Sequence, residues 1–514
     1  MTDNKNFAPK LRVTGRNSWQ NWHNTFDEPL KQYIDVWNGQ ANRISVKGYN
    51  ATTRGLQSVI ERALQTGDSV RARGGGWSLS KVAVTDGIML NTRPLNYHFK
   101  IKPNQVHPNY TGDASNLLFV QCGKSIAALN RYLKRRGKSL KTSGASNGQT
   151  IAGAFSTGTH GSALDVGSVQ DYVVGLHIIV SPEKTVWIER ASNPIVSDAY
   201  ARAFKADEII RDDALFNAAL ISFGSFGLIH GVLLEVEDLF FLQATRKLLP
   251  INESLWQVCD SLNFAENTIN LPRPNIQRPF HFQVVIDPYN TSEAYVTTMY
   301  KDEVRAADCQ PSPPGNKITP GDNALEIVAA ILDNAKELTP VVVSSLTREF
   351  YSQFENVCGT HGDIFTDTTP RGKSASAAVG IPLGTVQDAV KIAMDEIKAF
   401  PAPVLLALRY VRASSATLAF TSHSPITCIL EIDGPLSERV KTIYNRIWGA
   451  LDTAGIPYKF HWGKMNNLDA LTVRKMYGEQ KINAWLDARR KLLPTPELRR
   501  TFSNEFLIKL QLDS

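Results

Sequence analysis

Between about residues 43 and 140, apolar positions recur first with the period of a helix, then with that of a strand, and repeat the exchange. In RGLQSVIERALQTG (54–67), Leu56, Val59, Ile60, Ala63 and Leu64 fall on one helical face, and Gly67 suits the left-handed position past its end. SVRAR (69–73), TDGIMLNT (85–92) and NLLFVQCG (116–123) read as strands. KSIAALNRYLKRRG (124–137) reads as a helix with Ile126, Leu129, Tyr132 and Leu133 inward and Gly137 at its end. The pattern changes around 236–250. Beyond it, QPSPPGNKITPGDN (310–323) is a Pro/Gly-rich loop. TVQDAVKIAMDEIKAF (385–400) is an amphipathic helix whose Thr385 and Asp388 have capping-box spacing. The runs PVLLALRYVR (403–412) and CILEIDG (428–434) are strand-like, and SERVKTIYNRIWGALDTAG (437–455) is helical. This order predicts an α+β nucleotide-binding domain followed by a second domain that covers it.

Composition narrows the class. With 514 residues, 43% hydrophobic and 20% charged, the chain is a soluble globular protein of several domains. Its net charge of +7 is a mild excess. The densest basic stretches, ARRKLL around Arg489 and the pair Arg499 and Arg500, read as solvated helix faces, so no nucleic-acid partner is expected. Five scattered cysteines without a CxxC pair suggest neither a zinc site nor a disulfide framework, and a reducing compartment fits best. No apolar leader and no run of about 18 apolar residues is seen, so a cytoplasmic protein without membrane or metal is expected.

The candidate chemistry sits in two glycine-rich stretches. RARGGGWS (71–78) is not the dinucleotide G-x-G-x-x-G motif, because Leu79 stands where the third glycine is needed. The phosphate-loop motif fails as well: the Gly-Lys-Ser ends at Gly123 and Gly372 have Leu118 and Asp367 five residues upstream. A strand ending in three glycines can still present a row of backbone N–H groups to an anion, or be a tight turn. TSGASNGQTIAGAFSTGTHGSA (142–163) is glycine-rich and almost uncharged, suited to a backbone that follows a flat ligand. Its GASNG formally matches a nucleophile elbow with Ser146, but no apolar strand precedes it, and Gly153 and Gly158 interrupt the helix that should follow.

These two stretches, with LFNAALISFGSFGLIHGVLLEV (215–236) and FHWGK (460–464), resemble the vanillyl-alcohol-oxidase, or p-cresol-methylhydroxylase (PCMH-type), FAD-binding superfamily. FHWGK is similar to the motif of its aldonolactone oxidoreductase branch. The resemblance implies an α+β fold. A two-subdomain PCMH-type FAD-binding domain spans 1–240, with an N-terminal arm over about 1–40. A substrate-binding cap domain spans 241–440, an antiparallel sheet flanked by helices. A C-terminal segment, 441–514, carries HWGK back to the flavin site. Arg73, Gly74, Gly75, Gly76, Trp77 and Ser78 would surround the FAD pyrophosphate. Gly144, Ala145, Ser146, Gln149, Gly153, Ser156, Gly158, Thr159, His160 and Gly161 would follow the ribityl chain and flavin ring. Gly224, Gly227 and Ile229 would lie near the adenine. Relatives carry at position 77 a histidine bonded to the flavin; Trp77 offers no such nitrogen, so the FAD is expected to be non-covalent, with Trp77 an apolar wall.

The implied reaction is oxidation of an alcohol of a small molecule by hydride transfer to flavin N5. Such chemistry needs positive charge near the flavin N1 and C2 carbonyl, a role that suits Lys464. His461 is a proton acceptor or an orienting group, and Arg409 matches the arginine of the branch's Glu-x-Arg pair. The glutamate position holds Ala407, which implies a substrate less sugar-like than a lactone. Gly144 stands where the branch has glycine when oxygen reaches the flavin, implying an oxidase with molecular oxygen as acceptor. A dehydrogenase with another acceptor is the alternative, and a serine hydrolase using Ser146 a distant one.

Overall fold

The computed structural model describes residues 10–39, 43–265, 269–273, 278–307, 309–311, 336–365 and 373–514. The Pro/Gly-rich loop lies, beyond Pro311, outside the described residues. Three sheets organise the chain. The first has four strands, in the order Lys10–Thr14, Gln32–Trp37, Ile88–Asn91, Val70–Arg73. The arm therefore supplies two strands of the sheet that delivers the first glycine loop. The second sheet has six strands, and Leu228–Glu235 pairs antiparallel with both Val173–Ile179 and Leu117–Gln121 at its centre. The helix Val46–Thr66 starts at Ser45, whose side chain accepts from Gly48 N–H, and ends at Gly67 with φ 69°, as the spacing predicts.

The third sheet is nine-stranded and almost wholly antiparallel. Its order is Gln310–Pro311, Phe354–Thr360, Phe241–Pro250, Glu293–Asp302, His281–Ile286, Leu405–Arg412, Ile426–Pro435, Ser374–Pro382, Lys459–Phe460. Helices Val386–Ala399 and Glu438–Thr453 pack together beside it, their apolar faces merging into one core with both glycine-bearing sheets. The C-terminal helices then return to the first half, where helix Glu479–Leu492 packs on Asp213–Leu220.

Two expectations need correction. Thr385 does not cap its helix: its hydroxyl donates to Pro382 O, and Asp260 Oδ1 accepts from the N–H groups of Val386 and Gln387 at 2.8 and 3.1 Å. A cap supplied 126 residues away leaves no local signal. Cys309, just before the strand Gln310–Pro311, and Cys358, on the strand paired with it, are joined as a disulfide with Cα atoms 5.5 Å apart; strand pairing brings together cysteines whose separation of 49 residues matches no spacing rule. Cys122, Cys259 and Cys428 are free and buried. Among the described residues, no helix is long and apolar enough to cross a membrane.

Candidate active site

A cavity of about 1080 Å³ runs between the glycine loops and the nine-stranded sheet, more than the ~300–1,000 Å³ typical of a single-ligand site. The two loops touch directly. A Cβ on Gly74 would lie 2.0 Å from Thr150 Oγ1, and one on Gly75 would lie 2.8 Å from Gly148 O. A Cβ on Gly148 would in turn fall 2.3 Å from the Trp77 ring. Close approach of a ligand is therefore only half of the reason for these glycines; the loops also require them of each other. Trp77 stacks on Trp22 at 5.1 Å between ring centroids, with His23 edge-on. Ser146 lies in an irregular loop with no strand leading into a helix around it, so the nucleophile elbow is not formed.

The other end of the cavity is closed by the loop 221–227 before strand Leu228–Glu235. Gly224 and Gly227 have φ of 67° and 115°, and a Cβ on Gly227 would meet Ile179 O at 2.5 Å. Two buried arginines hold this loop by its carbonyls. One of them, Arg489, expected on a solvated helix face, is instead fully buried, because Ser225 O, Asp513 O, Arg499 O and Ser503 Oγ take up its donors. Arg71 donates to the oxygens of Phe223, Gly224, Phe502 and Val82, and Arg489 Nε donates to Ser225 O at 3.2 Å. Trp485 Nε1 donates to Ile221 O at 2.8 Å. The C-terminal helix thus fixes the first half of the site.

The HWGK segment is clamped onto the first glycine loop. Leu79 N–H donates to Gly463 O at 2.8 Å, and Ser80 Oγ donates to Trp462 O at 2.6 Å. This directs Lys464 at the sheet, where its Nζ lies 2.5 Å from Glu431 Oε1. Arg409 Nε lies 3.0 Å from Glu431 Oε2, an ion pair whose atoms are not aligned as a hydrogen bond. His160 Nε2 stands 3.7 Å from Glu431 Oε1. Burial pushes the Glu431 pKa up, but Arg409, Lys464 and His160 outweigh it and hold the carboxyl well below its usual range. Asp433, two residues on, accepts from Ser376 Oγ and opens on the cavity. Burial keeps His160 neutral, its pKa lowered to about 4 despite the opposing charge of Glu431. Burial and the neighbouring His160 and Lys464 lower His461 further.

The tautomers follow from the backbone. Gly463 N–H donates to His461 Nδ1 at 3.0 Å, so the ring hydrogen of neutral His461 sits on Nε2. His160 Nδ1 faces Gly161 O at 3.0 Å and must donate, which leaves the Nε2 lone pair free.

All the residues expected at the site line this cavity except Gly158, which has φ 80° and where a Cβ would lie 3.3 Å from the Phe420 ring. The sequence reading missed Glu431. Its signal is recoverable only from strand register: Glu431 is the direct cross-strand partner of Ala407, the position that lacks the branch carboxylate. Arg71, His281 and Arg246, which also line the cavity, were missed as well.

FAD fits this cradle. The buried Arg73 Nε, Gln149 Oε1 and Ser156 Oγ on the cavity wall have no hydrogen-bond partner among the described residues, and three successive glycines bare the backbone beside them. Fold and site are those of an FAD-dependent oxidoreductase. Residues 49–189 match the FAD binding domain family, and this part of the chain is such a domain. The chain is 23% identical to L-gulono-1,4-lactone dehydrogenase of Mycobacterium tuberculosis over 428 residues, 82% of this chain and 87% of that protein. It is 27% identical to D-arabinono-1,4-lactone oxidase of Yarrowia lipolytica over 221 residues, 43% of this chain and 37% of that one. In fold it is similar to cholesterol oxidase from B. sterolicum, with a TM-score of 0.71, 13% identity and 97% of each chain covered. A solvent-stable cholesterol oxidase gives 0.66 at 14% identity, with 97% of this chain and 98% of that one covered.

Proposed function

We propose that the protein oxidises a CH–OH group of a small molecule, with oxygen as the final electron acceptor and FAD held without a covalent bond. The observation that carries this reading is the Glu431–Arg409–Lys464 cluster, set in the same cavity as the glycine cradle. Bound FAD supplies the two-electron acceptor for the hydride leaving the carbinol carbon, and oxygen reclaims those electrons as hydrogen peroxide. The protein's part is to position the alcohol and take its hydroxyl proton. His160 Nε2 carries the free lone pair, and Glu431 Oε1, 3.7 Å from that same nitrogen, stabilises the imidazolium that forms. His461, hydrogen-bearing at Nε2, is a donor that orients, not a base. Lys464 and Arg409 hold positive charge where negative charge develops, and the Glu431 carboxylate between them keeps both fixed.

Oxygen as acceptor is favoured by Gly144, where a Cβ would press to 3.0 Å on Thr159 Cγ2 and fill the cavity wall. The dehydrogenase alternative draws on the similarity to a lactone dehydrogenase over 82% of the chain. Non-covalent FAD is favoured by Trp77, whose indole nitrogen only donates. The test is anaerobic mixing with a panel of alcohols, followed by admission of air. Bleaching of the flavin spectrum by at least one alcohol, fast recovery in air and release of FAD on acid denaturation are expected. A flavin that no alcohol bleaches contradicts the reaction, and bleaching without aerobic recovery contradicts the acceptor.

A further inference from the structure

A polar row crosses the sheet face that closes the cavity. Phe354, Arg246, Thr297, Gln283 and Arg409 are successive partners in register across five adjacent strands, so their side chains share one face. All five line the cavity. The row contains two arginines, three strand spacings or about 14 Å apart at the backbone.

The two arginines are treated differently. Arg409 is paired with Glu431, which it shares with Lys464. Arg246 pairs with no carboxylate among the described residues. Its Nε donates to Thr297 Oγ1 at 3.0 Å, and its guanidinium lies over the rings of Tyr351 and Phe354, at 5.2 and 4.9 Å. These contacts fix the plane of the fork and, among the described residues, leave the N–H donors of both Nη groups without a partner. Burial lowers the pKa of Arg246, opposed only weakly by Tyr351 and Tyr295. The other charged groups on the cavity wall do not serve it. Glu431 and Asp433 belong to the Lys464 end, Asp363 is held by Lys134 at 2.8 Å, and Glu349 is exposed to solvent. Around the row the cavity is apolar, walled by Ala244, Met299, Val343, Leu346 and Val357.

We propose that the molecule oxidised here is a hydroxy acid with an apolar body, its carboxylate bound by Arg246 and its hydroxyl presented at the Arg409–Glu431–Lys464 end. This rests on the alcohol-oxidation reading above and adds the chemistry of the remote end. A guanidinium held flat by two rings and one hydrogen bond matches a carboxylate bidentately. A neutral polyol would leave its charge buried without a counter-ion. Removing a carboxylate from the substrate should therefore cost more than removing any hydroxyl distant from the reacting carbon.

Calorimetric titration of the holoenzyme with octanoate and with octanamide tests the anion site without turnover. Octanoate is expected to bind roughly 10-fold tighter or more, the difference a charge-assisted hydrogen bond gives. Arg246→Gln should abolish that preference with FAD still bound, and Arg246→Lys should keep part of it. Equal binding of the two probes, or a preference that survives in Arg246→Gln, would overturn the proposal. Anaerobic bleaching by 8-hydroxyoctanoate and by 1,8-octanediol separates this inference from the reading beneath it. Preference for the acid supports both. Equal bleaching by the diol overturns the acid site and leaves alcohol oxidation standing. Bleaching by no alcohol, even where octanoate binds, overturns the oxidation reading and the substrate assignment with it.

Discussion

The two walls of the cavity are built by opposite means. On the wall proposed to hold FAD, recognition would be done by backbone: Gly74 to Gly76 and Gly144 to Gly161 are contiguous stretches, because neighbouring N–H groups come from neighbouring residues. On the wall proposed to hold the substrate it would be done by side chains arrayed across a sheet, where Arg246, Arg409 and Glu431 meet through register although 163 residues separate Arg246 from Arg409. A backbone site leaves a sequence motif, and a sheet site leaves almost none. Lesions in the two walls should therefore fail differently: the first should lose FAD, and the second should keep FAD and lose rate.

The largest effect is expected at Glu431. Glu431→Ala removes the carboxylate shared by Arg409 and Lys464, leaving Lys464 only Asp433 at 4.0 Å, and breaking a buried pair in this way costs about 3–5 kcal/mol of stability. Denaturant midpoints of the apoprotein, free of FAD and substrate, would read it. Lys464→Ala should slow anaerobic flavin reduction by ~10²–10³, while FAD affinity stays nearly unchanged. A variant that reduces at the wild-type rate but releases its flavin would place Lys464 on the cofactor wall instead.

Acid sensitivity comes next. Because the His160 pKa is lowered to about 4, the unfolded chain binds the proton first, so stability is full above the ordinary value of 6.5 and falls as pH drops toward 4. By pH 5 the loss from His160 alone is about 2 kcal/mol. Urea midpoints that stay level from pH 7 to 5 would mean that the imidazole is charged in the fold. The smallest effect is expected from Gly148→Ala. Its Cβ strikes the Trp77 ring, overpacking that costs about 1–3 kcal/mol. The loss should appear as weaker FAD binding, with the reduction rate at saturating FAD little changed.

The same contrast explains what could be read from the sequence. The helix from Val46, the strand into the glycines and the glycine-bearing segment that ends in strand Leu228–Glu235 all announce themselves by period and by glycine. Lys464 and Arg409 were legible because each sits in a short contiguous motif. Glu431 was not, since CILEIDG reads as an ordinary strand until its pairing with Ala407 is known. The helix cap from Asp260 and the bond between Cys309 and Cys358 were hidden for the same reason. Each joins residues that only the tertiary structure brings together.

The central claim is that Glu431 supplies, from the neighbouring strand, the carboxylate missing at position 407. Ala407 and Glu431 are direct cross-strand partners on one face, so the charge can be moved back. The decisive measurement is the anaerobic flavin-reduction rate, with one fixed alcohol, of Glu431→Ala and of the double variant Ala407→Glu/Glu431→Ala. The account predicts a loss of ~10²-fold or more in the single variant, with most of it recovered in the double. A single variant that reduces at the wild-type rate would contradict the claim, and so would a folded, FAD-loaded double variant no faster than the single.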